Sequence, residues 1–544
     1  MQTSIISIRT PFLTLLLVFT LTACGSGNSN SSSSPPLSDT ATGSTPPPIG
    51  VTTTSNGVIT GFGSVFVNGV EFETDSTDVV TDDDDQGNED DLEVGMIVMI
   101  SGTVNEDGTT GDASKISYDE EIQGPVDSVD PADESFVILG QIIFFDDLTN
   151  FLGVTFETLE PGQIVEVSGF FDGDGNLLAT LVKLEEDDTT LKLEGLVENL
   201  DTSSSLFDLN GVTVDYSLAA FEGGTSEDLA DGNLVRVKSS MDLVDGVFVA
   251  DVLIIKNEGG DGSRGQGDPI NIDGIITHFD SPESFSISGQ PVITTASTNY
   301  LVGSAVDLEL NIRIRVKGTF DEGGVVVADH ITLQTRHFLS VEGAIEAVDM
   351  VGQTVTLLGI TFLIDSSTHF IDAGPGRIKH FSIADLLVGD VIELTAGETD
   401  NDSEFLARKI KRFSEKDDNA VRLSGKIDGV DAAQLQFGLG GFTIQVTAET
   451  QITQKGKQPI DAGSFFESLE DDSGSVVSVT GTSEDDVVIA DAVQLRKSRT
   501  KPDDKGKPDD AGKPDDAGKP DDTGKPDDKG ESDDDGSGDP DSGG

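Results

Sequence analysis

The chain has 544 residues, with 100 Asp or Glu against 33 Lys or Arg and a formal net charge of −67. A surface of that sign repels nucleic acid and anionic headgroups and attracts cations. Trp is absent and Tyr occurs three times, which weighs against a face built to stack on bases or sugars, and a single cysteine excludes a disulfide framework. The charge is not a tail effect: residues 25–260 hold 47 acidic and 6 basic side chains, residues 261–500 hold 37 and 19, and residues 501–544 hold 16 and 7.

In chain order, the first element is a short apolar stretch behind Arg9, from Pro11 to Leu21. A membrane-spanning helix needs about 20 such residues; this one has the length of a signal-peptide core. It closes on Leu21-Thr22-Ala23-Cys24, which resembles the bacterial lipobox. The resemblance implies a signal peptide over 1–23, cleavage before Cys24, and lipid on that cysteine. The other reading, an ordinary secretory signal with an incidental cysteine, leaves an exposed reactive thiol outside the cell. Gly25 and Ser26 follow, with no Asp at the second position; by resemblance to Gram-negative lipoproteins this implies the outer membrane. Residues 24–55 are rich in Ser, Gly and Pro and nearly free of large apolar side chains, so they read as a disordered tether.

From Asn56 to Lys497 one pattern recurs six times, at intervals of 63 to 82 residues. Each copy opens on a glycine and an apolar strand: Gly61, Gly124, Gly195, Gly274, Gly343 and Gly425. A second strand follows, then a third that ends on Thr-x-apolar in five copies, at Thr77, Thr149, Thr298, Thr368 and Thr450; the third copy departs from this. Next comes a turn residue and period-two alternation, as in Gly162, Val165, Val167, Gly169, the mark of a strand with one buried face. The turn residue is Gly five times and Asn311 once, which predicts a left-handed backbone. The last strand carries Ala-x-x-apolar in every copy: Ala113, Ala179, Ala250, Ala328, Ala407 and Ala490. Such an alanine reads as a small side chain beneath a crowded barrel closure, and the competing reading is room left for a ligand.

Five short strands, with the longest connection between the third and fourth, is the layout of an OB-type barrel; in the fifth copy that connection, from Phe381 to Gly389, predicts one or two helical turns. A small sandwich-like unit is the alternative. The expected fold is therefore all-β: six tandem small five-stranded OB-like β-barrel units in a string, packed end to end and flanked by disordered segments. The copies span 56–119, 120–190, 191–260, 270–336, 339–414 and 420–498. The opening from Gly57 to Val70, the strand from Leu159 to Gly169 and the closing alanine motif resemble the bacterial "domain of unknown function 5666" repeat. That resemblance implies an exported protein and no catalytic residues. Residues 499–544 repeat Lys-Pro-Asp-Asp and read as a disordered tail, either a solvated spacer or a brush that binds cations or the wall weakly.

The search for chemistry finds little. The histidines, His278, His330, His337, His369 and His380, form no metal-ligand spacing and read mostly as strand-surface residues. No nucleophile elbow or phosphate loop is present. Asp172, Asp174 and Asn176 alternate like the start of an EF-hand loop, but Leu177 stands in place of its glycine and Lys183 in place of its bidentate Glu. These three residues are the candidate calcium ligands; a plain hairpin turn, where Asp, Gly and Asn are expected anyway, is the simpler reading. The acidic loop over 81–91 is a second place for loose divalent cations, and the overall charge also fits a salty habitat. The resulting expectation is a non-enzymatic cell-envelope lipoprotein. It is an acidic β scaffold or binding module held by lipid at Cys24, probed by divalent cations or an envelope component, with no nucleic-acid partner. The alternatives are a calcium-dependent adhesion or matrix protein and, last, an envelope polysaccharide hydrolase.

Overall fold

The computed structural model describes residues 51–81, 87–131, 133–186, 188–256, 265–334, 339–374, 376–398, 404–413, 421–454, 458–471, 475–484 and 487–496. The signal segment, the tail and residues 24–50 of the expected tether lie outside them; residues 51–55, read from sequence as tether, instead open the first strand of copy one, Val51–Gly61, paired with Ile97–Val104. The second copy shows the plan. Its first strand, Ile122–Asp130, pairs with the second, Ser135–Ile138, which pairs with Gln141–Phe144. That third strand and its continuation, Asn150–Leu152, both run parallel to the last strand, Leu177–Glu185. The last strand pairs with the fourth, Ile164–Phe171, which returns to the first. The ring is closed, and the third and last strands are its parallel neighbours, so the unit is a small OB-like barrel whose third strand is broken by a turn. A 3₁₀ turn precedes the fourth strand in copies one, two, four and five, including Ile383–Asp385 inside the stretch where helical turns were expected. In copy six an α-helix, Ala462–Asp471, takes that place.

The recurrent threonine and alanine are bonded to each other. Thr77, Thr149, Thr298, Thr368 and Thr450 each donate a hydroxyl to the carbonyl of Ala113, Ala179, Ala328, Ala407 and Ala490, at 2.6–2.9 Å. In four copies the same hydroxyl accepts the amide three residues earlier, as from Asp146 to Thr149 at 3.0 Å. The threonine thus closes the turn that interrupts the third strand and ties it to the last strand. It does so beside a β-bulge, where the fourth and last strands shift register in the same five copies. At that point the fourth strand needs a small residue: a Cβ on Gly169 would lie 2.5 Å from the Leu178 carbonyl. Copy three has Ser239 there and Ala219 in the threonine's place, and its last strand is broken, Val247–Val249 then Val252–Lys256. Its departures in sequence are one structural change: without the bulge, no carbonyl is turned toward a threonine.

The second and third strands are joined by a two-residue turn with positive φ at both residues in all six copies: Asn68-Gly69, Leu139-Gly140, Asn210-Gly211, Ser288-Gly289, Leu358-Gly359 and Gly440-Gly441. This is the hairpin turn whose twist matches the strands. Its first residue folds back over the first strand. A Cβ on Gly57 would lie 2.4 Å from the Asn68 side chain, and one on Gly195 would lie 2.7 Å from that of Asn210. These amides donate to the Asn56 and Glu194 carbonyls, both at 2.9 Å. The opening glycine of copy one is therefore Gly57, not Gly61, which sits at the end of the strand; the repeat is set by a close approach the sequence does not display. The expected left-handed turn before the fourth strand is present at Gly95, Gly162, Gly232, Asn311 and Gly389.

The units follow one another along the chain, yet they pack side by side through their first strands rather than end to end. Copies two and three pair antiparallel, with Ile122 opposite Leu193, and copies five and six likewise, with Val341 opposite Leu423. In each pair the facing residues are equivalent positions, and the two barrels share one apolar core. Copies one and four, left without a sequence neighbour, pair with each other in parallel, Ser55 opposite Asn271, and keep separate cores. Every first strand thus has its outer edge covered, which removes the exposed backbone that small barrels would otherwise present.

Candidate functional site

Of the six basic residues in residues 25–260, four are committed to junctions between or within the first three copies. The linker Asp119-Glu120-Glu121 joins copies one and two and is gripped by copy three. Arg236, with no exposed surface, bonds Asp119 Oδ1 at 3.0 Å, the Glu120 carbonyl at 2.8 Å and Glu194 Oε2 at 2.8 Å. Lys192 reaches Glu120 Oε1 at 2.6 Å, and both are buried. Lys256 pairs with Asp119 Oδ2 at 2.7 Å. Among the described residues Glu121 forms no ion pair; its Oε2 accepts the Gly169 amide at 2.9 Å. Burial and the neighbouring Glu194 raise the Glu121 carboxyl well above the usual range. Beside it, Tyr118 of copy one donates to Glu166 Oε1 of copy two at 2.5 Å, and Lys183 completes that group at 3.0 Å. Burying charge is costly unless each group is matched, so these contacts hold the copies in one arrangement.

A second charged junction joins copies one, two, four and five. Asp273 is nearly fully buried and takes Arg313 bidentately at 3.0 and 2.8 Å. Burial alone would raise its carboxyl; Arg313 and Arg315 outweigh that and hold it below the usual range. Arg313 also lies over the Phe170 ring of copy two, 4.8 Å from its centroid. Lys409 pairs with Glu393 at 3.2 Å and donates to the Asp147 carbonyl of copy two. His369 is buried here rather than on a strand surface. Burial, then Arg313 and Lys409, push its imidazole down to about 3, so it is neutral. A long connection of copy five reaches copy one, where Arg377 pairs with Glu93 and Lys379 donates to the Glu89 carbonyl at 2.9 Å.

Cys24 lies outside the described residues, as do His337 and residues 82–86 of the acidic stretch 81–91. Asp172, Asp174 and Asn176 are together in the hairpin between the fourth and last strands of copy two. Asp172 Oδ1 accepts the amides of Asp174 and Asn176 at 2.9 and 2.8 Å, and Asp174 Oδ2 accepts Asn311 Nδ2 of copy four at 2.9 Å. Asp107 of copy one and Asp321 of copy four close their hairpins by the same side chain to backbone bonds. The recurrence identifies a turn device, with one loop also docking on copy four. Among the described residues, no three His, Cys, Asp or Glu are grouped to hold a metal ion. A cleft of about 570 Å³ on copy three is lined by Asp228, Asp231, Asn233 and Lys256. Its charged groups are already engaged: Asp228 with Thr225, Asp231 with the Leu200 amide, Lys256 with Asp119. Sequence reasoning missed the junction residues because their partners lie one or more copies away; the scarcity of cations was the only signal.

The family model described as a domain of unknown function (DUF5666) matches residues 54–117, 123–183, 194–252, 273–332 and 342–411. These are the first five barrels; the sixth, over 421–496, shares their strand order and hairpin turn, and the threonine–alanine bond of copies one, two, four and five. No curated protein matches the chain. With more than half of its length matched in five successive copies, the chain belongs to the DUF5666 family.

Proposed function

We propose that the protein is a non-enzymatic scaffold of the cell envelope, anchored by lipid on Cys24. The observation that carries this reading is where the scarce cations and the strand edges go: into contacts between copies. Six small barrels, each marginal alone, are thereby joined into one acidic body with its first-strand edges covered. Such a body keeps its shape outside the cell without disulfides and presents a large anionic surface at the end of a tether. The anchor is tested by fractionating cells that express the full chain or Cys24→Ala, with a labelled fatty acid supplied. Label on the wild type, and loss of both label and membrane retention in the variant, support the reading. Unchanged membrane retention of the variant removes it.

A further inference from the structure

Two arginines at the junction of copies one, four and five are under-used. A guanidinium carries five N–H donors. Among the described residues, Arg315 makes no hydrogen bond; its nearest carboxylate oxygen is Asp273 Oδ2 at 3.8 Å, already held by Arg313. Its Nε is fully buried and without a partner. Arg408 makes one bond, to Ser367 Oγ at 3.0 Å, and no ion pair. Nearby Asp365 is turned to the amide and hydroxyl of Ser367 at 2.8 and 2.6 Å. Guanidinium groups this far buried with most of their donors unused are costly. In a chain with three carboxylates for every cation, they are also unexpected.

The local geometry presents these groups together. Arg408 is the extra residue of the bulge in copy five, since Ala407 pairs with Ala396 and Lys409 with Thr395; a bulge re-aims the side chain it carries. Arg315 Nη1 lies 4.0 Å, and Ser366 Oγ 3.6 Å, from where a Cβ on Gly69 of copy one would stand. The hairpin turn of copy one thus lies against both side chains. Arg315 is 22 % exposed and Arg408 is partly exposed, so solvent reaches both. His369, more than nine-tenths buried, adds an Nδ1 without a partner on the same junction. Burial and the neighbouring Arg313 and Arg408 lower the Arg315 guanidinium, as expected where cations outnumber their close counter-ions.

We propose that a tetrahedral oxyanion, of the phosphate or sulfate class, binds between the Arg315 and Arg408 guanidinium groups. Two guanidinium forks from different strands offer more donors and more directions than the two coplanar oxygens of a carboxylate accept. The anionic surface does not forbid it, because at physiological salt charges beyond about 8 Å are largely screened. The group is either free in solution or the terminal ester of an envelope polymer. The test is phenylglyoxal labelling of the full chain, read by mass spectrometry, with inorganic phosphate or dextran sulfate against chloride at equal ionic strength. At least tenfold protection of Arg408 and Arg315 by phosphate is expected, with other arginines unchanged. Protection by phosphate alone identifies a free ion; protection by dextran sulfate identifies a pendant group. Protection by neither overturns the proposal. In parallel, titration calorimetry with phosphate should show an affinity at least tenfold weaker in Arg408→Gln, checked for fold by circular dichroism. Unchanged phosphate affinity in a folded variant also overturns it.

Discussion

Thr149→Val isolates the bond that defines the barrel. The change keeps the shape of the side chain and removes its hydroxyl, which donates to the Ala179 carbonyl at 2.7 Å and accepts the Asp146 amide at 3.0 Å. Thr149 is 4 % exposed, so water does not replace the lost partner. Leaving buried polar groups unsatisfied costs about 1–3 kcal/mol, and with two groups affected we expect about 2–3 kcal/mol. At about 1.4 kcal/mol per factor of ten, this is roughly 30- to 100-fold faster hydrogen exchange. The assay is exchange read by mass spectrometry on the full chain. The amides of Asn150–Leu152 and Leu177–Glu185 should accelerate. Those of Leu191–Asp201 should follow in part, because copies two and three share a core. Peptides from 421–496 should not change. Acceleration of less than about threefold in copy two would refute the claim that this bond holds the broken third strand to the last.

Three other outcomes are expected. For Glu121→Gln, the raised carboxyl means that the folded state binds more protons than the unfolded one between the ordinary Glu value, about 4.3, and its own higher value. Wild-type stability from this group therefore falls as pH rises through that window. The variant should match wild type at pH 4 and be the more stable at pH 8 in denaturant titrations; a variant less stable at pH 8 refutes the assignment. The double variant Asp172→Ala, Asp174→Ala should lose about 1–2 kcal/mol through its hairpin and its dock on Asn311. Calcium and sodium at equal ionic strength should shift wild-type melting alike, and a larger calcium shift that the variant abolishes would restore the calcium reading. Arg377→Glu should speed exchange several-fold in 87–96 at low salt and have little effect at high salt, because its pairing with Glu93 is partly exposed; an effect independent of salt would count against an electrostatic contact.

The sequence by itself determined the unit. Alternation with period two, an alanine at a fixed place and turn residues that tolerate positive φ, repeated six times, and a Thr-x-apolar, repeated five times, are local requirements, so they stand out. The departure of copy three was legible as well, although its cause, a missing bulge, was not. What only the tertiary structure decided is how the units associate. Pairing of first strands uses backbone groups that every copy carries, so no side chain announces that copy one joins copy four. The displaced opening glycine has the same origin: Gly57 is required by the Asn68 side chain eleven residues on, across a hairpin. Asp172 and Asp174 read from sequence as turn residues or as ligands, and nothing local announces that Asn311, 137 positions from Asp174, lies against them. Long-range partners are chosen by burial and charge balance in three dimensions, and the order of residues along the chain carries no record of which faces meet.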